Sequence, residues 1–173
     1  KHKNEFMFAI NCDGARTQAY GNTSFLMHAP CGDDHDYYGT GGGWNGYRAT
    51  KGLYDVFADD PSGDTDERAL FDTPEFPATA TQAAIPDLSD FKNGLHVAKW
   101  RNVRSDLAPV SDPTRDFSDI DFPVFRLPEM YLIYAEGVLR NGTGGTRAQA
   151  VTYINLMRTR AYGDASGNIT DGD

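Results

Sequence analysis

Between Asp13 and Tyr47 the chain gathers aromatic rings and hydrogen-bonding groups in a stretch of about 35 residues with no sustained helical or strand period. Tyr20, Tyr37, Tyr38, Trp44 and Tyr47 supply the rings, and Asn22, Asp33, Asp34, His35, Asp36 and Asn45 supply donors and acceptors. These are the residue types that hold a sugar, whose C–H faces stack on rings while its hydroxyl rim takes hydrogen bonds. Trp44 leads the set. It sits in Gly41-Gly42-Gly43-Trp44-Asn45-Gly46, where glycines let backbone approach a ligand and no helix or strand face is present to bury the indole. Tyr20, Asn45, Tyr47, Tyr38 and Asp33 complete the candidate ligand-binding residues. The competing role for Trp44 is packing onto helices, and each tyrosine has the alternative of a ring at the rim of the core with its hydroxyl in water. Loops this long inside a compact domain are either functional or disordered. A glycan site expects Trp44 and at least one tyrosine coplanar in a shallow open cleft, whereas a scaffold expects those rings buried.

Other chemistry finds less support. The runs Asp59 to Glu67 and Asp164 to Asp173 are rich in hard oxygen ligands. Neither keeps the glycine at position six and the glutamate at position twelve of an EF-hand loop. Solvated turns are the simpler reading, with calcium as the alternative. His35 lies between two aspartates but lacks two further ligands at zinc spacing, and His2, His28 and His96 are scattered. No metal or other cofactor is expected. With 25 acidic residues, almost any carboxylate pair could be nominated for glycoside hydrolysis, so the acids single out no site. The nucleophile elbow, the HExxH helix and the phosphate loop are all missing, which favours a binding protein over an enzyme.

The formal net charge of −9 and a pI near 4.8 argue against nucleic acid, whose phosphates call for a basic surface. No run approaches the roughly 20 apolar residues that cross a bilayer. Cys12 and Cys31 have two open readings, a disulfide in an oxidising compartment or two buried thiols. The glycines, prolines and aromatics describe ordered loops between helices.

The elements that must position these residues are few. Glu5 to Cys12 reads as a short strand, Thr50 to Ala58 as a short helix stopped at Asp59-Asp60-Pro61, and His96 to Val103 as another strand. Asp121 to Ala161 reads as a helical hairpin. Its first helix begins at Pro128, which suits a first turn because the missing N–H has no partner there. Met130, Ile133, Tyr134 and Val138 form one apolar row and Leu132, Ala135 and Leu139 a second, so this helix expects neighbours on most sides. Asn141-Gly142 marks a left-handed cap. Thr146 and Gln149 open the second helix as a capping box, with Ala150, Ile154, Met157 and Ala161 on one stripe. The class is mainly α with long irregular loops and one or two short strands, and the hairpin matches the unit of tetratricopeptide-like repeats.

The residue order in that hairpin goes further. Phe122, Pro123, Val124, Phe125 and Arg126, then Glu129, Leu132, Ile133, Tyr134, Ala135 and Glu136, then Ile154, Asn155, Arg158, Arg160 and Ala161 resemble the SusD/RagB family. Asn4 to Ile10, and Leu53, Tyr54 and Phe57 with Asp66-Glu67-Arg68, look like two further family segments. The resemblance implies one SusD-like domain, of which residues 1–173 are a fragment, since such proteins extend well beyond both ends. It implies a surface lipoprotein of the outer membrane, anchored outside this fragment, that binds a glycan and caps a SusC-like TonB-dependent transporter. A peptide-binding RagB-like member and a helical-repeat scaffold for a protein partner are the alternatives. Family glycan sites resemble an arc of rings drawn partly from such a loop, which favours Tyr20 beside Trp44. Arg126, Glu136, Asn155 and Arg158 are expected to be structural, compensating charge around the hairpin.

Overall fold

The computed structural model describes residues 4–57, 66–71, 73–90 and 93–172. Along the chain run β1 (Phe6–Ile10), α1 (Thr23–His28), α2 (His35–Tyr38), β2 (Arg48–Ala49), α3 (Lys51–Val56), α4 (Ala80–Ala83), β3 (Leu95–His96), β4 (Phe122–Arg126), α5 (Leu127–Leu139) and α6 (Arg147–Tyr162). The protein is mainly helical, with short strands and long irregular connections. It packs as two compact units, one of Lys1–Ala9 with Pro123–Asp173 and one of Ile10–Phe122.

In the first unit β1 pairs with β4, and α5 packs on α6. Residues 122–126 are a strand, so the helical hairpin starts at Leu127; the β-branched and aromatic run Phe122-Pro123-Val124-Phe125 explains the difference. Pro128 lies in the first turn of α5. Asn141 takes the left-handed conformation at φ 61°, and the Gly142 N–H closes on the Gly137 carbonyl at 2.8 Å. Thr146 caps α6 by accepting the Gln149 N–H at 3.2 Å. The return bond of a capping box is replaced, because the Thr146 N–H donates to the Tyr134 hydroxyl at 3.1 Å. Between the helices, Tyr131 stacks on Tyr153 at 4.4 Å and Tyr134 meets the same ring edge-on at 5.1 Å, and Ala135 and Ala150 are buried. α5 is not enclosed on most sides: Leu132, Ile133 and Leu139 are exposed, because α6 covers one stripe only.

The second unit is ordered less by periodic elements than by two small cores. Ala49, Ala69, Phe71, Ala83 and Leu95 form one core, and Cys31, Tyr38 and Ala98 form the other. β2 and β3 pair antiparallel, Arg48 opposite His96 and Ala49 opposite Leu95. The strand expected over His96–Val103 ends at His96, because the chain turns there and the Ala98 N–H bonds to the Leu70 carbonyl at 2.8 Å rather than to a strand neighbour. The helix expected over Thr50–Ala58 is α3, with Ala58 outside the described residues. Two short helices, α1 and α2, lie inside the stretch read as one irregular loop. Cys12 and Cys31 are both buried free thiols. Burial pushes the Cys31 thiol up from its ordinary pKa, against a lowering hydrogen bond with Thr40.

His96 is fully buried and stacks on Phe76, with centroids 3.9 Å apart and planes 10° from parallel. Neither ring nitrogen has a hydrogen-bond partner; the Pro30 carbonyl favours the charged form without closing a bond. Burial first, and then the Arg48 charge, lower its pKa from 6.5 to about 4. The unfolded chain therefore binds this proton from about pH 6.5 downward while the folded chain refuses it until about pH 4, so stability falls as pH falls through that window. The drop is expected to reach about 3 kcal/mol. Denaturant unfolding of the protein and of His96→Phe from pH 7 to pH 4 checks this, and parallel profiles would show that His96 is not the group responsible.

Candidate functional site

α1 is only six residues long and is held at both ends by its surroundings. At its start the Asn22 Oδ1 accepts the Ser24 N–H at 2.9 Å. Its last carbonyls have no helical partner and need donors from elsewhere. The turn Trp44–Tyr47 provides one for His28, the last residue of the helix, and more for Ala29 and Cys31 just beyond it. The Trp44 N–H bonds to the His28 carbonyl at 3.0 Å, the Gly46 and Tyr47 N–H groups bond to the Ala29 carbonyl at 3.1 and 3.0 Å, and the Asn45 N–H bonds to the Cys31 carbonyl at 3.0 Å. Gly43 makes the approach possible, since a Cβ there would lie 2.2 Å from the Cys31 carbonyl oxygen and 2.3 Å from that of Gly32. Asn45 adopts φ 61°, a left-handed conformation that asparagine tolerates better than most residues.

This geometry leaves four rings half exposed around the turn. Trp44 lies 5.8 Å from Tyr20 and 5.8 Å from Phe25, and Phe25 lies 6.5 Å from Tyr47. Behind Trp44, the buried His28 imidazole stacks on the indole at 5.0 Å, 14° from parallel. His28 Nδ1 stands 2.6 Å from the Gly42 carbonyl oxygen and Nε2 stands 2.9 Å from that of Asp116. The Asp112 carboxylate holds that second segment by accepting the N–H groups of Asp116 and Phe117, each at 2.9 Å. Phe117 in turn lies 5.0 Å from Tyr20. The rings are open to solvent, as a glycan site expects, but they are not coplanar. Successive planes are turned by 59°, 57° and 67°, because edge contacts among packed rings win over a flat row.

Of the residues expected to bind, Trp44, Tyr20 and Tyr47 come together here, and Asn45 lies in the same turn. Tyr38 does not. It is wholly enclosed against Cys31 and Ala98, with its hydroxyl unpartnered and its pKa raised chiefly by burial, so it has no face to offer a ligand. Asp33 is exposed elsewhere, on an open acidic cleft of about 440 Å³ lined also by Asp36, Glu75 and Arg115 and by none of the four rings. Sequence reasoning missed Phe25 and His28. The N-cap signal Asn22-Thr23-Ser24 could have placed Phe25 on the first turn of a helix; nothing local pointed to His28.

The signature residues sit in the first unit. Arg126 and Arg160 both reach Glu5, at 3.8 and 2.5 Å, and Glu136 pairs with Arg140 along α5 at 2.7 Å. The Asn155 amide holds the backbone of Ile169 through both its N–H and its carbonyl, each at 2.9 Å, and the Arg158 guanidinium donates to the Gly167 carbonyl. Among the described residues no three His, Cys, Asp or Glu side chains gather as a metal site, and no helix is long and apolar enough to cross a membrane. Asp59 to Thr65 of the first acidic run lie outside the described residues. Asp66 beside them is bound by Arg68, which lowers its pKa.

The sequence model of the SusD family matches residues 73–171, more than half of the chain, and the chain belongs to that family. Over 74 residues it is 45% identical to the starch-binding protein SusD of Bacteroides thetaiotaomicron. That alignment takes in 43% of this chain and 12% of the relative's length. The family match contains the hairpin and Phe117, whereas Tyr20, Phe25, Trp44 and Tyr47 precede it.

Two neighbouring glycines give opposite expectations. Gly43→Ala forces a methyl into the Cys31 and Gly32 carbonyls and is expected to cost about 1–3 kcal/mol, whereas a Cβ at Gly42 meets nothing within 4 Å and Gly42→Ala should be near neutral. Chemical denaturation of the two variants measures the contrast, and equal effects would contradict the close approach at Gly43.

Proposed function

We propose that this chain contributes a non-catalytic glycan-binding surface to a SusD-like component of an outer-membrane nutrient uptake system. The protein would sit at the cell surface through a lipid anchor and work with a SusC-like TonB-dependent transporter. The observation that carries the binding role is the cluster of four half-exposed rings around Trp44, fixed from behind by backbone bonds and by His28. A fixed ring loses little freedom on binding, so more of the stacking energy appears as affinity.

The bend of the ring surface narrows the ligand. Rings turned by about 60° from one to the next suit a chain that coils, such as an α-linked glucan, better than a flat β-linked one. The name of the starch-binding relative supports the same class. A protein-binding scaffold is the second reading, carried by the exposed Leu132, Ile133 and Leu139 of α5.

Affinity electrophoresis of the chain in gels containing soluble starch or hydroxyethylcellulose tests the proposal. Retardation is expected in starch and not in the cellulose derivative. Trp44→Ala should weaken it about tenfold, roughly 1.4 kcal/mol, and Tyr38→Phe should leave it unchanged. Full retardation of Trp44→Ala would remove the ring cluster as the site.

A further inference from the structure

The segment that carries Trp44 is held from one side by α1, but the conformation of its next three residues is set by a single side chain on β2. The Arg48 guanidinium donates from Nη2 to the Asn45 carbonyl at 2.9 Å and to the Asn45 Oδ1 at 2.5 Å, and from Nη1 to the Tyr47 carbonyl at 2.9 Å. Its Nε donates to the Asn93 carbonyl at 3.1 Å, on the segment that leads into β3. One planar fork thus joins both ends of the Asn45–Tyr47 turn to the β2–β3 ribbon.

We propose that Arg48 is the positioning residue of the Trp44 site: it locks the left-handed turn at Asn45, so that the Trp44 and Tyr47 rings are presented to ligand in fixed orientation. This rests on the reading of the ring cluster as a glycan site.

Three observations support it. Asn45 is the residue immediately after Trp44, and its positive φ is the point where the chain direction is set; Arg48 binds both its backbone and its side chain. The guanidinium is drawn out of water to get there, and that burial lowers its pKa, so it takes backbone acceptors at a cost that a solvated arginine would avoid. Finally, the residue just before β3 lacks a side chain, which admits its stem. Gly94, at φ 99°, would carry a Cβ 2.9 to 3.0 Å from the Arg48 Cβ, Cγ and Cδ. A lysine has the charge but not the fork, and cannot hold four acceptors in one plane.

The test uses Trp100→Phe chain, in which Trp44 is the only indole. Adding Arg48→Lys should weaken retardation in soluble starch about tenfold, at temperatures well below the unfolding midpoint. Acrylamide quenching of Trp44 fluorescence should rise at the same time. A purely structural role would lower the midpoint and leave both readouts of the folded chain unmoved, and unweakened retardation by Arg48→Lys overturns the proposal. If the parent chain shows no retardation at all, the glycan reading fails, and quenching alone then decides whether Arg48 positions Trp44: a rise supports it and no change overturns it. Should Arg48→Lys not fold, hydrogen exchange of the Arg48 Nε–H in the parent chain replaces it, with slow exchange expected and exchange at the free-arginine rate overturning the lock.

Discussion

The carbonyls at the end of α1 are the constraint on which the candidate site depends. A helix of six residues leaves more backbone groups unpaired than it pairs, and buried ones must find partners. Here they find the N–H groups of a turn that lies about 16 residues further along the chain. This one exchange fixes several features together. It orders a glycine-rich segment that would otherwise be too entropic to hold a ring still. It brings Trp44 against His28, and it spends the turn's donors on protein, leaving ring faces as the chemistry open to a ligand. Gly43, just before Trp44, belongs to the same constraint, since the backbone contact there leaves no room for a side chain.

The two units differ in how their order is encoded. In the first, the signals are local: a proline in the first turn of α5, a left-handed Asn141, a threonine cap on α6 and apolar spacing that recurs along each helix. Such signals act over a few residues, and they were legible. What was not legible there was long range. Tyr134 takes the Thr146 N–H from the other helix, and Glu5 gathers Arg126 and Arg160 from distant parts of the sequence. The strand Phe122–Arg126 depends equally on β1, a partner that no local pattern names.

In the second unit most of the determining contacts are long range, which is why a stretch containing α1 and α2 looked structureless. Neither helix is long enough to show a period, and both are stabilised by what they touch rather than by their own propensity. The ring residues could be read from composition, but which of them face solvent could not. Tyr37 and Tyr38 are adjacent, yet Tyr38 closes a core with Cys31 and Ala98 while Tyr37 carries the Arg101 guanidinium over its ring at 3.8 Å. Phe25 has no hydroxyl and reads as core material, yet it joins the exposed cluster because its helix is pinned with that edge outward.

Part of the chain's acidity has its explanation in the same loops. A long irregular segment presents N–H groups that no ladder satisfies, and a short carboxylate is the side chain best able to take two or three of them. Asp112 accepts from Thr114, Asp116 and Phe117; Asp119 accepts from Gly14 and Ser111; Asp34 accepts from Glu75 and the Thr73 hydroxyl; Asp121 accepts from Cys12. Each of these bonds replaces a piece of regular secondary structure, and the first set holds the segment that backs Tyr20 and His28. Carboxylates occupied in this way are poor candidates for acid–base work or for a metal, because giving up their backbone donors would release the loop. These four aspartates are a means of ordering backbone, and the aromatic rings that Asp112 helps to hold in place are where ligand chemistry is left open.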